Sequence, residues 1–174
     1  MERLAAEEGI RIRSRECNAR VGRGRIGGSA VLLALPRTYM NASGEAVRAL
    51  CQKYDVEPSA LCVVVDEVEL PLGVLRMRAR GSAGGHNGLR SVIAHLGTTE
   101  FPRLRLGIRG DRYSRERDLA DYVLEPFAKA EREQFEGSVE RAAEALHLWV
   151  TQGIDAAMRR ANVNPSSPDR LDPD

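Results

Sequence analysis

From residue 61 to residue 109 the spacing of apolar positions changes repeatedly, and each change marks an element. Residues 61–65, LCVVV, are uninterruptedly apolar and stop at Asp66. Such a run bounded by polar residues predicts a strand buried on both faces of an α/β sheet. Ligands of these sheets gather beyond the carboxyl ends of strands, which makes Asp66 a candidate for chemistry. Leu70, Pro71, Leu72 and Gly73 make a turn. Val74, Leu75, Met77 and Ala79 then interleave with Arg76, Arg78 and Arg80, predicting a half-buried strand with one basic face. Residues 81–88, GSAGGHNG, form a glycine-rich loop that ends in His86 and Asn87. Leu89, Val92, Ile93 and Leu96 follow at helical spacing, with Gly97 closing the helix. Leu104, Leu106 and Ile108 alternate with Arg103, Arg105 and Arg109, a second basic-faced strand.

The flanks are simpler. Residues 2–8 read as a helix end with Leu4 and Ala5 inward and Gly9 as its stop, and 10–21 as an arginine-rich strand. Residues 22–27, GRGRIG, match the dinucleotide pattern GxGxxG, but a strand (30–35) follows where that site needs a helix. A hairpin turn is predicted instead. After Pro36 the chain leads into a helix over 45–54, with Ser43 as N-cap and Glu45 complementing the helix dipole. This strand, helix and the 61–65 strand predict a right-handed crossover joining a parallel pair. Residues 110–117 form a polar loop, a candidate lid or substrate rim, and 119–124 are short and ambiguous. The longest helix covers 131–152, a shorter one 154–161, and residues 162–174, rich in Pro, Ser and Asp, predict a disordered tail.

Composition narrows the class. The 174 residues, 43% hydrophobic and 29% charged, suit one soluble domain over 1–161. The net charge of +1 requires any basic footprint to be local. No run reaches the roughly 20 apolar residues of a membrane helix, and the first residues lack a secretory core. Cys17, Cys51 and Cys62 show no CxxC spacing, and only His86, His95 and His147 could assist them. Neither zinc site nor disulfide framework is indicated, and a reducing cytoplasm is the default.

Several residues are candidates for chemistry. Asp66 can orient and charge-stabilise a histidine base, or merely end a strand. His86 and Asn87 fall at a helix N-terminus, where backbone N–H groups attract anions, and the neighbouring glycines admit a close substrate. Tyr39 and Asn41 lie in a strand-to-helix loop with no core logic of their own. The arginines of the two alternating strands indicate exposure and suit phosphates, so the stretch as a whole fits an anionic polymer. His95 and His147 read as structural.

PRTYMNASGEAV (36–47), VVVDEVELPLGVLRMR (63–78), GSAGGHNGLRSVIAHLGTTEFPRLRLGI (81–108) and YVLEPF (122–127) together resemble bacterial peptidyl-tRNA hydrolase. The resemblance runs through most of the chain, and its GGHNGLRS and FPRLRLGI segments are highly specific. It implies a single α/β domain with a twisted mixed sheet flanked by helices. It implies cleavage of the ester between a peptide and the 3′ ribose of tRNA, with no metal or organic cofactor. Asp66 would pair with a catalytic histidine. Asn41 and Asn87 would position the peptide end and the attacking water, and Tyr39 would wall the pocket. His86 would be the loop histidine beside Asn87, and Arg78 and Arg105 would hold acceptor-stem phosphates. A monomer acting on peptidyl-tRNA is expected.

The resemblance enters at MERLAAEEG. Family members begin with a glycine-rich strand and a TRHN-like motif that supplies the general-base histidine. The expected fold is accordingly N-terminally truncated, with a start assigned downstream as the favoured explanation. The alternative is an RNA-binding protein on the same scaffold that does not turn over.

Overall fold

The computed structural model describes residues 1–111, 113, 114 and 119–163, residues 119–121 by backbone alone. Helix α1 (Glu2–Glu7) buries Leu4 and Ala5. Past Gly9 the chain crosses strand β2 (Ala19–Ile26), and Ile10 and Ile12 are buried there. A Cβ on Gly22 would stand 2.8 Å from the Arg11 carbonyl oxygen, and one on Gly24 would stand 2.5 Å from Ile10. That crossing explains the glycines of GRGRIG. Gly22 and Gly24 are strand residues, and the hairpin reversal falls at Gly27 and Gly28, both with positive φ, before strand β3 (Ser29–Pro36). The strand expected over 10–21 is also interrupted. Cys17 and Asn18, both left-handed, turn strand β1 (Ser14–Glu16) back onto β2.

The sheet is in two three-stranded pieces. One is antiparallel, in the order β1-β2-β3. The other contains β4 (Val63–Pro71), β5 (Leu75–Arg78) and β6 (Arg103–Arg109) in the order β4-β6-β5. Strand β6 runs parallel to β4 and antiparallel to β5, so the pairing is mixed, as expected. The expected parallel partnership across helix α2 (Ser43–Tyr54) is not made. Among the described residues β3 pairs only with β2, and β4 only with β6. Strand β4 is therefore a margin of its sheet, which leaves Val63, Val64 and Val65 half-buried and not sealed on both faces. It also continues to Pro71, so Asp66 lies within the strand and not at its end.

Alternation along β4 divides the core. Val63 and Val65 pack with Leu89, Val92 and Phe101 on the side of helix α3 (Asn87–Leu96). Val64 packs into the main core with Leu75, Met77, Leu104 and Leu106. Helices α5 (Lys129–Gln152) and α6 (Ile154–Ala161) cover that core through Ala142, Ala143, Ala145, Leu146 and Ala157. Alanines let helices approach a sheet closely, and Ile26 and Leu33 of the other sheet piece join the same cluster. Both pieces thus rest on one helical layer, within one α/β domain.

The short helix α4 (Leu119–Leu124) leads towards α5. Of the 110–117 loop, residues 112 and 115–118 lie outside the described residues. Asn162, where the tail was expected to open, has its side chain fixed. Its Oδ1 accepts from Met77 N–H at 2.7 Å and its Nδ2 donates to Met77 O at 3.2 Å. This pairs the backbone margin of β5 as another strand would. Residues 164–174 lie outside the described residues.

Candidate active site

Two glycines bring the candidate residues together. Gly44, in the first turn of α2, donates its N–H to Ser91 Oγ of α3 at 3.0 Å. A Cβ there would run into the Ser91 carbonyl oxygen and stand 2.6 Å from His95 Nδ1. His95 itself donates to the Ser91 carbonyl at 2.8 Å and is structural, as expected. His147, paired with Glu8 at 2.7 Å, is structural too. The second glycine is Gly88, where a Cβ would stand 2.6 Å from Met40 Sδ. The TYMN loop is thereby held against the start of α3. Tyr39 is 87% exposed there, and Asn41 is exposed as well.

His86 is the N-cap of α3, and Asn87 is its first residue. The imidazole Nδ1 accepts from Leu89 N–H at 3.2 Å, so the neutral ring carries its proton on Nε2. Nε2 lies 3.5 Å from Asp66 Oδ1, at the outer limit of a hydrogen bond. Among the described residues no other histidine is paired with Asp66. The imidazole holds the Asp66 carboxyl below the ordinary carboxylate range, against partial burial that pushes it up. Stability from the pair is therefore present above the unfolded value of about 3.9 and lost as pH falls through the lowered folded value. Asp66→Asn should melt below the native chain at neutral pH, and that difference should shrink on acidification below the ordinary carboxylate range.

Beyond Asp66 lies a pocket of about 220 Å³ lined by Ile108, Tyr122, Phe127 and Phe135 among others. Tyr122 is fixed by donating to Ile108 O at 2.8 Å and accepting from Gly110 N–H at 2.9 Å. A mostly apolar hollow beside a carboxylate suits an amino-acid side chain next to a reacting ester. The sequence reading missed Tyr122, and the residue carries no local signal beyond its place in YVLEPF. On the other side of the TYMN loop, an open groove of about 1000 Å³ runs past Arg15, Asn18, Arg37 and Tyr39.

Of the two strand faces expected to be basic and exposed, that of β5 is so and that of β6 is not. Arg76 and Arg78 of β5 are exposed. Arg103 of β6 is only 2% exposed, and its guanidinium donates to the carbonyls of Gly81, Ser82, Thr99 and Phe101. Arg105 donates to Ser82 O and Ala83 O, each at 3.0 Å, and forms an ion pair with Glu67. The side chains of that pair are 13% and 9% exposed. Arg105, like Arg103, is thus held by protein partners. The glycine-rich loop folds over this face and needs donors for its carbonyls. Removing one member of such a buried pair typically costs about 3–5 kcal/mol.

Among the described residues no helix is long and apolar enough to cross a membrane, and no group of three His, Cys, Asp or Glu is placed to hold a metal ion. The α/β scaffold thus sets the His86 imidazole against Asp66 at the start of α3 and packs the turn that carries Asn41 against the same helix. The peptidyl-tRNA hydrolase family model matches residues 1–169. A peptidyl-tRNA hydrolase of Roseiflexus castenholzii is 48% identical over 168 residues, covering 96% of this chain and 78% of the relative. One of Chloroflexus aurantiacus is 44% identical over 163 residues, covering 93% and 86%. The crystal structure of peptidyl-tRNA hydrolase from Acinetobacter baumannii superposes with a TM-score of 0.85 at 35% identity, covering 93% of this chain and 82% of that one. The chain belongs to the peptidyl-tRNA hydrolase family.

Proposed function

We propose that the chain hydrolyses the ester of peptidyl-tRNA in the cleft between Asn41, Asp66 and the start of α3, with Asp66 and His86 as its acid–base pair. The reaction is that of its family, releasing free tRNA and peptide. The approach of His86 Nε2 to Asp66 Oδ1 at 3.5 Å carries the assignment of the pair.

With Nε2–H turned to Asp66, the basic lone pair is on Nδ1, the atom that accepts from Leu89 N–H. An N-cap bond is worth about 1 kcal/mol, so water displaces that amide at modest cost. Nδ1 takes the proton as the water oxygen attacks the ester carbonyl. The imidazolium stands at the positive end of α3, which disfavours it, and Asp66 offsets this. The freed Leu89 N–H and the Asn87 amide donate to the oxyanion. Collapse expels the ribose 3′ oxygen, which recovers the proton from Nδ1. Asn41 orients the peptide end and Tyr39 walls it. Arg78, exposed on β5, contacts acceptor-stem phosphates without reading sequence. Side chains of one copy supply every step, so the protein works as a monomer, in the cytoplasm where its substrate is made.

Chemical rescue tests the base. His86→Ala should lower the single-turnover rate by about 10²–10⁴-fold, and free imidazole should restore part of it. An unchanged rate in His86→Ala would remove His86 from the mechanism.

A further inference from the structure

The geometry points to Arg103 as a positioning residue that clasps both ends of the segment carrying His86 and Asn87. The strand register places it there. Arg78 and Arg103 are partners in the antiparallel β5–β6 pair, so residues 79–102 leave the sheet and re-enter it side by side. That segment holds the glycine-rich loop, helix α3 and the turn after it. Arg103 is only 2% exposed, and its bonds run to both sides of α3. Before the helix, Nη1 donates to Gly81 O and, at 3.2 Å, to Ser82 O. After it, Nη2 donates to Thr99 O at 2.7 Å and to Phe101 O at 2.9 Å, and Nε reaches Phe101 O at 3.3 Å. The guanidinium also lies 4.2 Å from the centre of the Phe101 ring, which packs in one buried cluster with Leu89 and Val92 of α3. Backbone bonds carry the clasp onward. Gly81 N–H donates to Thr99 O at 3.4 Å, and His86 N–H donates to Ala83 O at 3.1 Å.

Only arginine suits this place. Its planar fork of five N–H groups serves carbonyls on two sides at once, whereas an ammonium concentrates three donors at one point. Burial and the neighbouring Arg105 guanidinium hold Arg103 below the ordinary arginine range, so the charge is kept at a cost. Without the fork the two ends of the segment part, and α3 shifts with the loop that precedes it. A displacement of about 1 Å suffices to slow a positioned reaction by about 10²-fold.

This inference rests on the hydrolase reading, and its test separates the two. Single-turnover hydrolysis, tRNA binding across a salt series and amide exchange would be measured for Arg103→Lys and Arg103→Met. The lysine variant keeps the stem and the charge, which guards against a chain that fails to fold. Cleavage should slow by about ten- to a hundredfold in both variants. The salt slope of tRNA binding should stay native, because a guanidinium so buried reaches no phosphate. Exchange of the Gly81 and His86 amides should quicken at least tenfold. That of Gly107, whose N–H donates to Val74 O at 2.8 Å within the sheet, should hold. Full-rate cleavage by Arg103→Lys would overturn the inference, and so would a flattened salt slope. Equal quickening at Gly107 would overturn it too, since Arg103 would then support the whole fold and not the segment. Exchange needs no catalysis. A native chain that cleaved nothing would defeat the hydrolase reading alone, whereas unchanged exchange at Gly81 and His86 would defeat the clasp.

Discussion

Asp66→Ala should lower kcat by about 10²–10⁴-fold and leave tRNA affinity unchanged. The split follows from where the residue sits. Asp66 lies within β4, facing the His86 imidazole and the pocket behind it, while the exposed arginines Arg76 and Arg78 lie on β5. Its removal leaves the phosphate contacts in place. It takes away the anion that fixes the ring's tautomer and offsets the imidazolium at the positive end of α3. Asp66→Asn should be nearly as damaging, because an amide keeps the shape and loses the charge. A variant whose KM rises while kcat holds would mean that Asp66 binds substrate and does no chemistry.

Gly44→Ala should destabilise the protein by about 1–3 kcal/mol and slow hydrolysis as well. The added methyl would meet the Ser91 carbonyl, which is helix backbone and cannot swing aside, along with the His95 ring. Helices α2 and α3 must separate, and the Gly44 N–H then loses Ser91 Oγ. The same separation lifts Tyr39 and Asn41 away from Asn87. A protein of this size should lose about 2–4 °C in Tm for each kcal/mol. An unchanged Tm with full activity would show that the two helices are less closely packed than their contact implies.

Where one face of an element is buried, its period was legible. Strand β5 reads from Leu75 and Met77, helix α3 from Leu89 and Val92, and helix α5 from Ala142, Ala143 and Leu146, all buried as the spacing predicts. Partnership was not legible. The LCVVV run announces burial but cannot say which strand lies beside it, and β4 pairs with β6 without meeting β3. Non-local packing also hid the purpose of GRGRIG, whose first two glycines answer to Ile10, a dozen or more positions away.

The site was read in part. The Gly44 and Gly88 contacts draw the elements of Asn41, His86 and Asn87 together, and Asp66 meets them through the His86 imidazole. The exposure expected of Arg103 and Arg105 failed because alternation along a strand suggests a solvated face. A loop with several backbone carbonyls and few donors of its own settles on that face and claims the guanidinium groups of Arg103 and Arg105. The hint was present in the sequence: a long glycine-rich loop flanked by arginine strands leaves carbonyls that something must satisfy.

The most direct measurement is single-turnover hydrolysis of an N-acetylated aminoacyl-tRNA by the 174-residue chain, with Asp66→Ala alongside and tRNA binding followed in both. Cleavage by the native chain that disappears in the variant, with binding equal, is the result that an Asp66–His86 pair predicts. Equal cleavage in both, or tRNA bound by the native chain and never cut, would contradict it.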